Sequence, residues 1–167
     1  GHLKKKLIGL WNMCIRIFRS YIMNKNDMKV RIGEIGEQVV NESFESAIRA
    51  SNWYDEEKDG IINNFTYEVK TQTINNRDNG FWQEQNQWKK LDGVDIFYIV
   101  KVPDMYESEG LVVYKVLNHY TNFKVIRHNN RKVRVYPLKA CFPMGIVRDK
   151  RAKEALELSK KLRNFKF

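Results

Sequence analysis

Three residues near the middle of this 167-residue chain could do chemistry together. In the stretch beginning Asp59-Gly60 and running to Thr73, Glu68 and Lys70 flank Val69, and Asp59 lies upstream across Asn63-Asn64. Alternate residues of an extended chain share a face. Glu68, Lys70 and Gln72 therefore stand on one side, each ~6.6 Å from the next, and Phe65, Tyr67, Val69, Thr71 and Thr73 on the other. If Asn63-Asn64 is the tight turn of a β-hairpin, Asp59 opens the partner strand close enough to face Glu68. Two carboxylates on neighbouring strands, with a backbone carbonyl, make an open hard-oxygen site suited to Mg²⁺, for which Mn²⁺ can substitute. A lysine beside them would orient a water and offset charge developing on a phosphorane, while the metal lowers the pKa of that water. The same residues also fit a solvated strand face of Thr66, Glu68, Lys70 and Gln72, whose Glu–Lys pair would contribute little. The pattern acid-x-Lys occurs three times, as Asp27/Lys29, Glu56/Lys58 and Glu68/Lys70, and only the third falls on an expected strand. Spacing alone leaves both readings open.

The elements that must position these residues are legible in outline. Residues 28–49 carry Ile32, Ile35, Gly36, Val39, Val40, Phe44, Ala47 and Ile48 at steps of three and four, which predicts an amphipathic helix. The hairpin follows, then a polar stretch over 75–92, expected as a loop and a short helix around Gln83–Leu91. Asp95–Val102 is a near-continuous apolar run, expected as a buried central strand. Leu111–Leu117 reads as a further strand. Phe123–Arg127 and Lys132–Tyr136 flank Asn129-Asn130 as a second hairpin, and Arg148–Arg163 as a closing helix. Upstream, residues 3–23 alternate apolar and basic side chains at helical spacing. The sequence divides into this N-terminal helix over 1–26, of which Gly1-His2 reads as the scar of a removed tag, and one α/β domain over 27–167.

The order of these features matters. A helix carrying R-I-G-E-I-G-E over 31–37, then Asp59-Gly60, then Glu68-Val69-Lys70, then an apolar strand starting at Asp95, resembles the PD-(D/E)XK nuclease superfamily. That superfamily includes restriction endonucleases and archaeal-type Holliday junction resolvases. The resemblance covers roughly residues 30–102. It implies an α/β fold with a restriction-endonuclease-like core, a mixed β-sheet flanked by helices, and Mg²⁺-dependent endonucleolytic hydrolysis of DNA. Carried over residue by residue, it makes Asp59 and Glu68 metal ligands and Lys70 the residue that positions water and stabilises charge. Glu37 becomes the helix glutamate that adds a metal or water ligand, with Glu34 as the second candidate, and Gln72 the polar residue two positions after the lysine. Lys58 stands where the family's label has proline, and no Q-x-x-x-Y element follows Lys70. The alternative is a DNA-binding protein that keeps the fold without the catalysis.

Charge points to the same partner. The chain has 30 Lys and Arg against 20 Asp and Glu, a net +10. Residues 1–26 carry +6 without an acidic side chain, 27–110 carry −8, and 111–167 carry +12. An acidic middle between basic flanks suits a metal-dependent enzyme acting on a polyanion such as DNA. Arg127, Arg131, Lys132 and Arg134 crowd the second hairpin as a candidate phosphate grip, or as a charged edge that discourages aggregation. Trp82 is a candidate for stacking on a base, or for packing in the core. Cys14 and Cys141 form no C-x-x-C pair, which argues for a reduced, cytoplasmic setting and against a cysteine metal site. His119 and His128 have no ligand partners at metal spacing and read as ordinary histidines. The N-terminal helix, and the need for two sites to cut both strands at once, point to a homodimer, with membrane contact the less favoured role for that helix.

Overall fold

Asn63 and Asn64 both take left-handed backbone angles (φ 49° and 67°), the twist a two-residue hairpin turn requires, and so fold Gly60–Ile62 (β2) back on Phe65–Gln72 (β3). Asn129 and Asn130 (φ 49° and 62°) repeat the device between Lys124–His128 (β7) and Arg131–Pro137 (β8). The computed structural model describes residues 1–50, 57–73, 80–103 and 110–164, and only the backbone of 16–22.

Ala47–Arg49 (β1), β2, β3, Ile96–Lys101 (β5), Leu111–Val116 (β6) and Cys141–Val147 (β9) form one sheet in the order β1-β2-β3-β5-β6-β9. Only β3 and β5 run parallel, so the sheet is mixed. Gly80–Glu84 (β4) pairs with β8, and β8 with β7, in a second, three-stranded sheet. On one face of the large sheet lie the helices Lys25–Ser43 (α2) and Lys150–Arg163 (α4). There Ile32, Ile35, Val39, Val40, Ala155 and Leu158 bury against Tyr67, Val69, Tyr98 and Val100. The opposite face is covered by the small sheet and the short helix Trp88–Asp92 (α3), where Phe97 and Ile99 meet Phe81, Leu91 and Tyr136. Strand β5 is thus buried on both sides, as its unbroken apolar run required. The architecture is α/β, a mixed sheet flanked by helices.

Of the two glycines in R-I-G-E-I-G-E, only Gly36 is needed by the packing. A β-carbon there would lie 1.9 Å from Thr71 Oγ1, whereas one on Gly33 would meet nothing. Gly36 lets α2 approach β3 closely enough to seat its apolar stripe. Gly36→Ala is therefore expected to destabilise by about 1–3 kcal/mol through overpacking, and Gly33→Ala to stabilise by up to about 1 kcal/mol. Urea midpoints of the two variants check this.

Several elements differ from expectation. The helix expected over 28–49 starts earlier and stops earlier. Asn24 caps it by accepting from the Asp27 amide at 2.8 Å, and it ends at Ser43, with Phe44 extended. Ala47 and Ile48 continue the helical spacing, but the open edge of β2 recruits them into β1. Gln83, expected in a helix, lies in β4, and only Trp88–Asp92 of that stretch is α-helical. Strand β9 was not expected, because Pro143 and Gly145 interrupt its pattern. An edge strand tolerates the proline, and the pairing with β6 shifts register between Val113 and Tyr114. The polar run 75–79 lies outside the described residues.

Candidate active site

The alternation along β3 sends Tyr67, Val69 and Thr71 toward α2 and leaves Glu68 and Lys70 on the face that carries β4 and α3. Asp59, at the start of β2, is held against β3 by backbone and side chain together. Its amide donates to the Tyr67 carbonyl at 2.9 Å, and its Oδ2 accepts from the Val69 amide at 2.7 Å. One carboxylate oxygen is thus committed to the strand, and Oδ1 is left to face Glu68. Gly60 next to it has no room for a side chain, since a β-carbon would lie 2.4 Å from the Tyr67 hydroxyl.

Glu68 is only 1% exposed. Its Oε1 lies 3.0 Å from Lys70 Nζ, and that ammonium also donates to Gln87 Oε1 at 2.7 Å. Lys90 Nζ, from α3, sits 3.2 Å from Glu68 Oε2 and 3.5 Å from Asp59 Oδ1. It lies off hydrogen-bonding geometry to Oε2, which is buried without a hydrogen-bond partner. Two buried carboxylates therefore share the Lys90 ammonium, and Glu68 has Lys70 as a second cation. Burial, reinforced by Asp59, pushes the Glu68 carboxyl up to about 7 despite both lysines. Burial works against the Lys90 ammonium, but Glu68 and Asp59 outweigh it and raise its pKa above the ordinary lysine value. Glu37 stands at the edge of the same field. Burial and Asp59 raise its pKa, and the Arg49 guanidinium, 2.9 Å from its Oε2, opposes them.

Asp59, Glu68 and Lys70 thus converge as the sequence led us to expect, with Glu37 electrostatically linked to Asp59 but engaged by Arg49. Glu34 pairs instead with Arg31, which also forks onto Glu154 of α4 and ties the two helices together. Gln72 sits opposite Lys101 near the end of β3, and among the described residues no contact draws it into the cluster. Lys90, Gln87 and Arg49 join this cluster without having been expected in it. One signal was available: two neighbouring parallel strands need a crossover, so the segment joining β3 to β5 had to traverse a face of the sheet. Lys89-Lys90 is the basic pair within it.

Arg134 is not a hairpin-tip cation. It is 8% exposed, forks onto Asp92 at 2.7 and 2.9 Å, and lies over the rings of Phe123 and Trp88 at 4.2 and 4.7 Å. Trp88 in turn donates to the Gln83 carbonyl at 3.0 Å. These contacts anchor both ends of α3 to the small sheet and so fix where Lys90 points. Arg134→Ala is expected to lower the melting temperature, at a cost of about 2 kcal/mol, because Asp92 and two rings lose their partner.

Arg127, Arg131 and Lys132, by contrast, line an open cleft of about 520 Å³ with Glu84, Gln85, Asn86 and Asn130. The 3-10 turn Gln85–Gln87 borders that cleft and also supplies the Gln87 side chain to Lys70. Trp82 is half-buried and edge-on to His128 at 5.0 Å on the neighbouring wall. His119 is buried with its Nε2 3.0 Å from the Val94 carbonyl, which also accepts from Tyr120, and its burial lowers its pKa. These contacts fasten the turn between α3 and β5.

Among the described residues, no group of three or more His, Cys, Asp or Glu side chains is clustered closely enough to hold a metal ion by itself. No helix among them is long and apolar enough to cross a membrane. No family model, curated protein or solved structure matches the chain.

Proposed function

We propose that this protein is a Mg²⁺-dependent endodeoxyribonuclease whose α/β domain has a restriction-endonuclease-like core. One observation carries the reading: Asp59 and Glu68, nearly inaccessible to solvent, face each other across neighbouring strands and share the Lys90 ammonium, with Lys70 on the other Glu68 oxygen. A solvated strand face would be exposed and its charges hydrated, so that alternative loses its support.

The donor set fits a divalent cation. Mg²⁺ is commonly held by one or two carboxylates, with water and phosphate oxygens completing the shell. Asp59 and Glu68 would hold it, and when bound it supplies a Lewis acid and an acidified water. Lys70 keeps its ammonium beside Glu68 through Gln87, where it can orient a water and stabilise charge on a phosphoryl oxygen. Arg127, Arg131 and Lys132 line the adjoining cleft, where they can grip the flanking phosphates.

Lys90 occupies the space between the carboxylates, so a cation entering there must displace its ammonium. Lys90→Met is expected to tighten Mn²⁺ binding about tenfold, the effect of removing one competing charge worth about 1.4 kcal/mol. Calorimetric titration measures it.

The test of the function is incubation with supercoiled plasmid in Mg²⁺, Mn²⁺ or EDTA, with Asp59→Asn as the control for contaminating nuclease. Nicked or linear product that needs both metal and Asp59 supports the reading. Plasmid and branched DNA left intact in both metals, yet bound, would leave the DNA-binding protein without catalysis.

A further inference from the structure

Among its described side chains, residues 2–15, the helix His2–Ile22 (α1) takes no part in the cores described above. Every side chain from Gly1 to Cys14 is exposed, including Leu3, Leu7, Leu10 and Trp11, the last at 69%. At 100° per residue, Leu3, Leu7, Ile8, Leu10, Trp11 and Ile15 fall within an arc of ~160°, with Lys5 and Lys6 outside it and Lys4 within it in the first turn, where a long stem can carry its ammonium out to the polar boundary. The helix opens on Lys4, Lys5 and Lys6 and has no acidic residue in its first turn, an arrangement the helix dipole opposes. Most helical stability comes from packing an amphipathic face, and over residues 2–14 this helix buries none of its own. Something outside the domain must therefore supply both an apolar medium and negative charge.

Three kinds of occupant can be compared on those two requirements. A second copy of α1 offers apolar surface, but it adds five cations to five, and neither copy has an acid before Asp27. DNA offers phosphates but nothing to cover Trp11 and the leucines. An anionic lipid surface offers both, with headgroups for the lysines and acyl chains for the apolar arc. We propose that α1 lies in the interfacial plane of an anionic lipid bilayer and holds the α/β domain at that surface. This does not depend on the domain being a nuclease.

The experiment is flotation of the full chain with vesicles of phosphatidylcholine, alone or containing phosphatidylglycerol, at low and high salt. A Leu7→Glu/Trp11→Glu variant runs alongside, and both sites are exposed, so the domain's melting temperature should not move. The expected result is flotation with the anionic vesicles only, weakened by salt, and reduced at least about tenfold in the variant. Three results would overturn the proposal: no flotation, equal flotation with neutral vesicles, or anionic binding that survives the double substitution. A lipid-free dimer in sedimentation velocity that the variant dissociates would also overturn it, in favour of a second copy.

Discussion

Lys70→Met is expected to lower metal-dependent cleavage of supercoiled plasmid about 10³-fold while duplex affinity stays within about twofold, since losing one preorganised donor to developing charge costs 10²–10³ in rate. Methionine keeps the length of the stem and removes only the charge. That charge is tightly placed, 3.0 Å from Glu68 Oε1 and 2.7 Å from Gln87 Oε1. The side chain is 23% exposed, which leaves its ammonium reachable by a water and a phosphoryl oxygen. On the proposed reading affinity should survive, because Arg127, Arg131 and Lys132 around the neighbouring cleft would grip the phosphates. Two measurements are needed, a single-turnover rate at saturating Mg²⁺ and a binding isotherm in Ca²⁺. A near-normal rate would remove Lys70 from the chemistry. A loss of affinity that matched the loss of rate would make it a phosphate anchor.

The parts of this site that could be read from the sequence are those set by short-range geometry. Alternation along one strand placed Glu68 and Lys70 on one face, and the double asparagine fixed the hairpin that returns Asp59 to Val69. The unbroken apolar run of β5 required burial on both faces, which the two helices on one side and the small sheet on the other provide. None of these inferences needed a contact between distant segments.

What was missed depends on such contacts. Arg134 looks like a surface cation because it alternates with Lys132 on a basic strand, yet only its pairing opposite Gln83 shows that it points inward to Asp92. Strand β4 was masked by its glutamine and tryptophan, which read as helix or loop until β8 is laid beside them. Lys90 follows from that error: with β4 unseen there was nothing to anchor α3, and with α3 unplaced its lysine had no address. The end of α2 is the same case in reverse. Ala47 and Ile48 satisfy the helical stripe perfectly well, and a sheet edge claims them instead.

Glu68→Gln is expected to stabilise the metal-free protein above neutral pH. The Glu68 carboxyl is raised from an ordinary 4.5 to about 7 in the folded chain, mainly by burial. Between those values the folded protein keeps a proton that the unfolded chain has released, so stability falls as pH rises through this window. Below it both states are protonated and the cost vanishes; above it the cost is complete, at about 3 kcal/mol for the separation of the two values. Glutamine keeps the shape and carries no charge to desolvate. The variant should therefore be more stable at pH 8 by about 3 kcal/mol, a figure that already contains the pairing with Lys70 and Lys90, and match the wild type at pH 4. Adding Mg²⁺ should reverse the order at pH 8, because a cation bound to the ionised carboxylate stabilises only the wild type. Urea midpoints across this range, with and without Mg²⁺, read both effects. A flat wild-type profile would mean that Glu68 is hydrated and unstrained, as a solvated strand face demands. A falling profile that Mg²⁺ does not rescue would leave a buried charge held at a cost with no cation to justify it, and the pairing with Lys90 would then be the site's whole purpose.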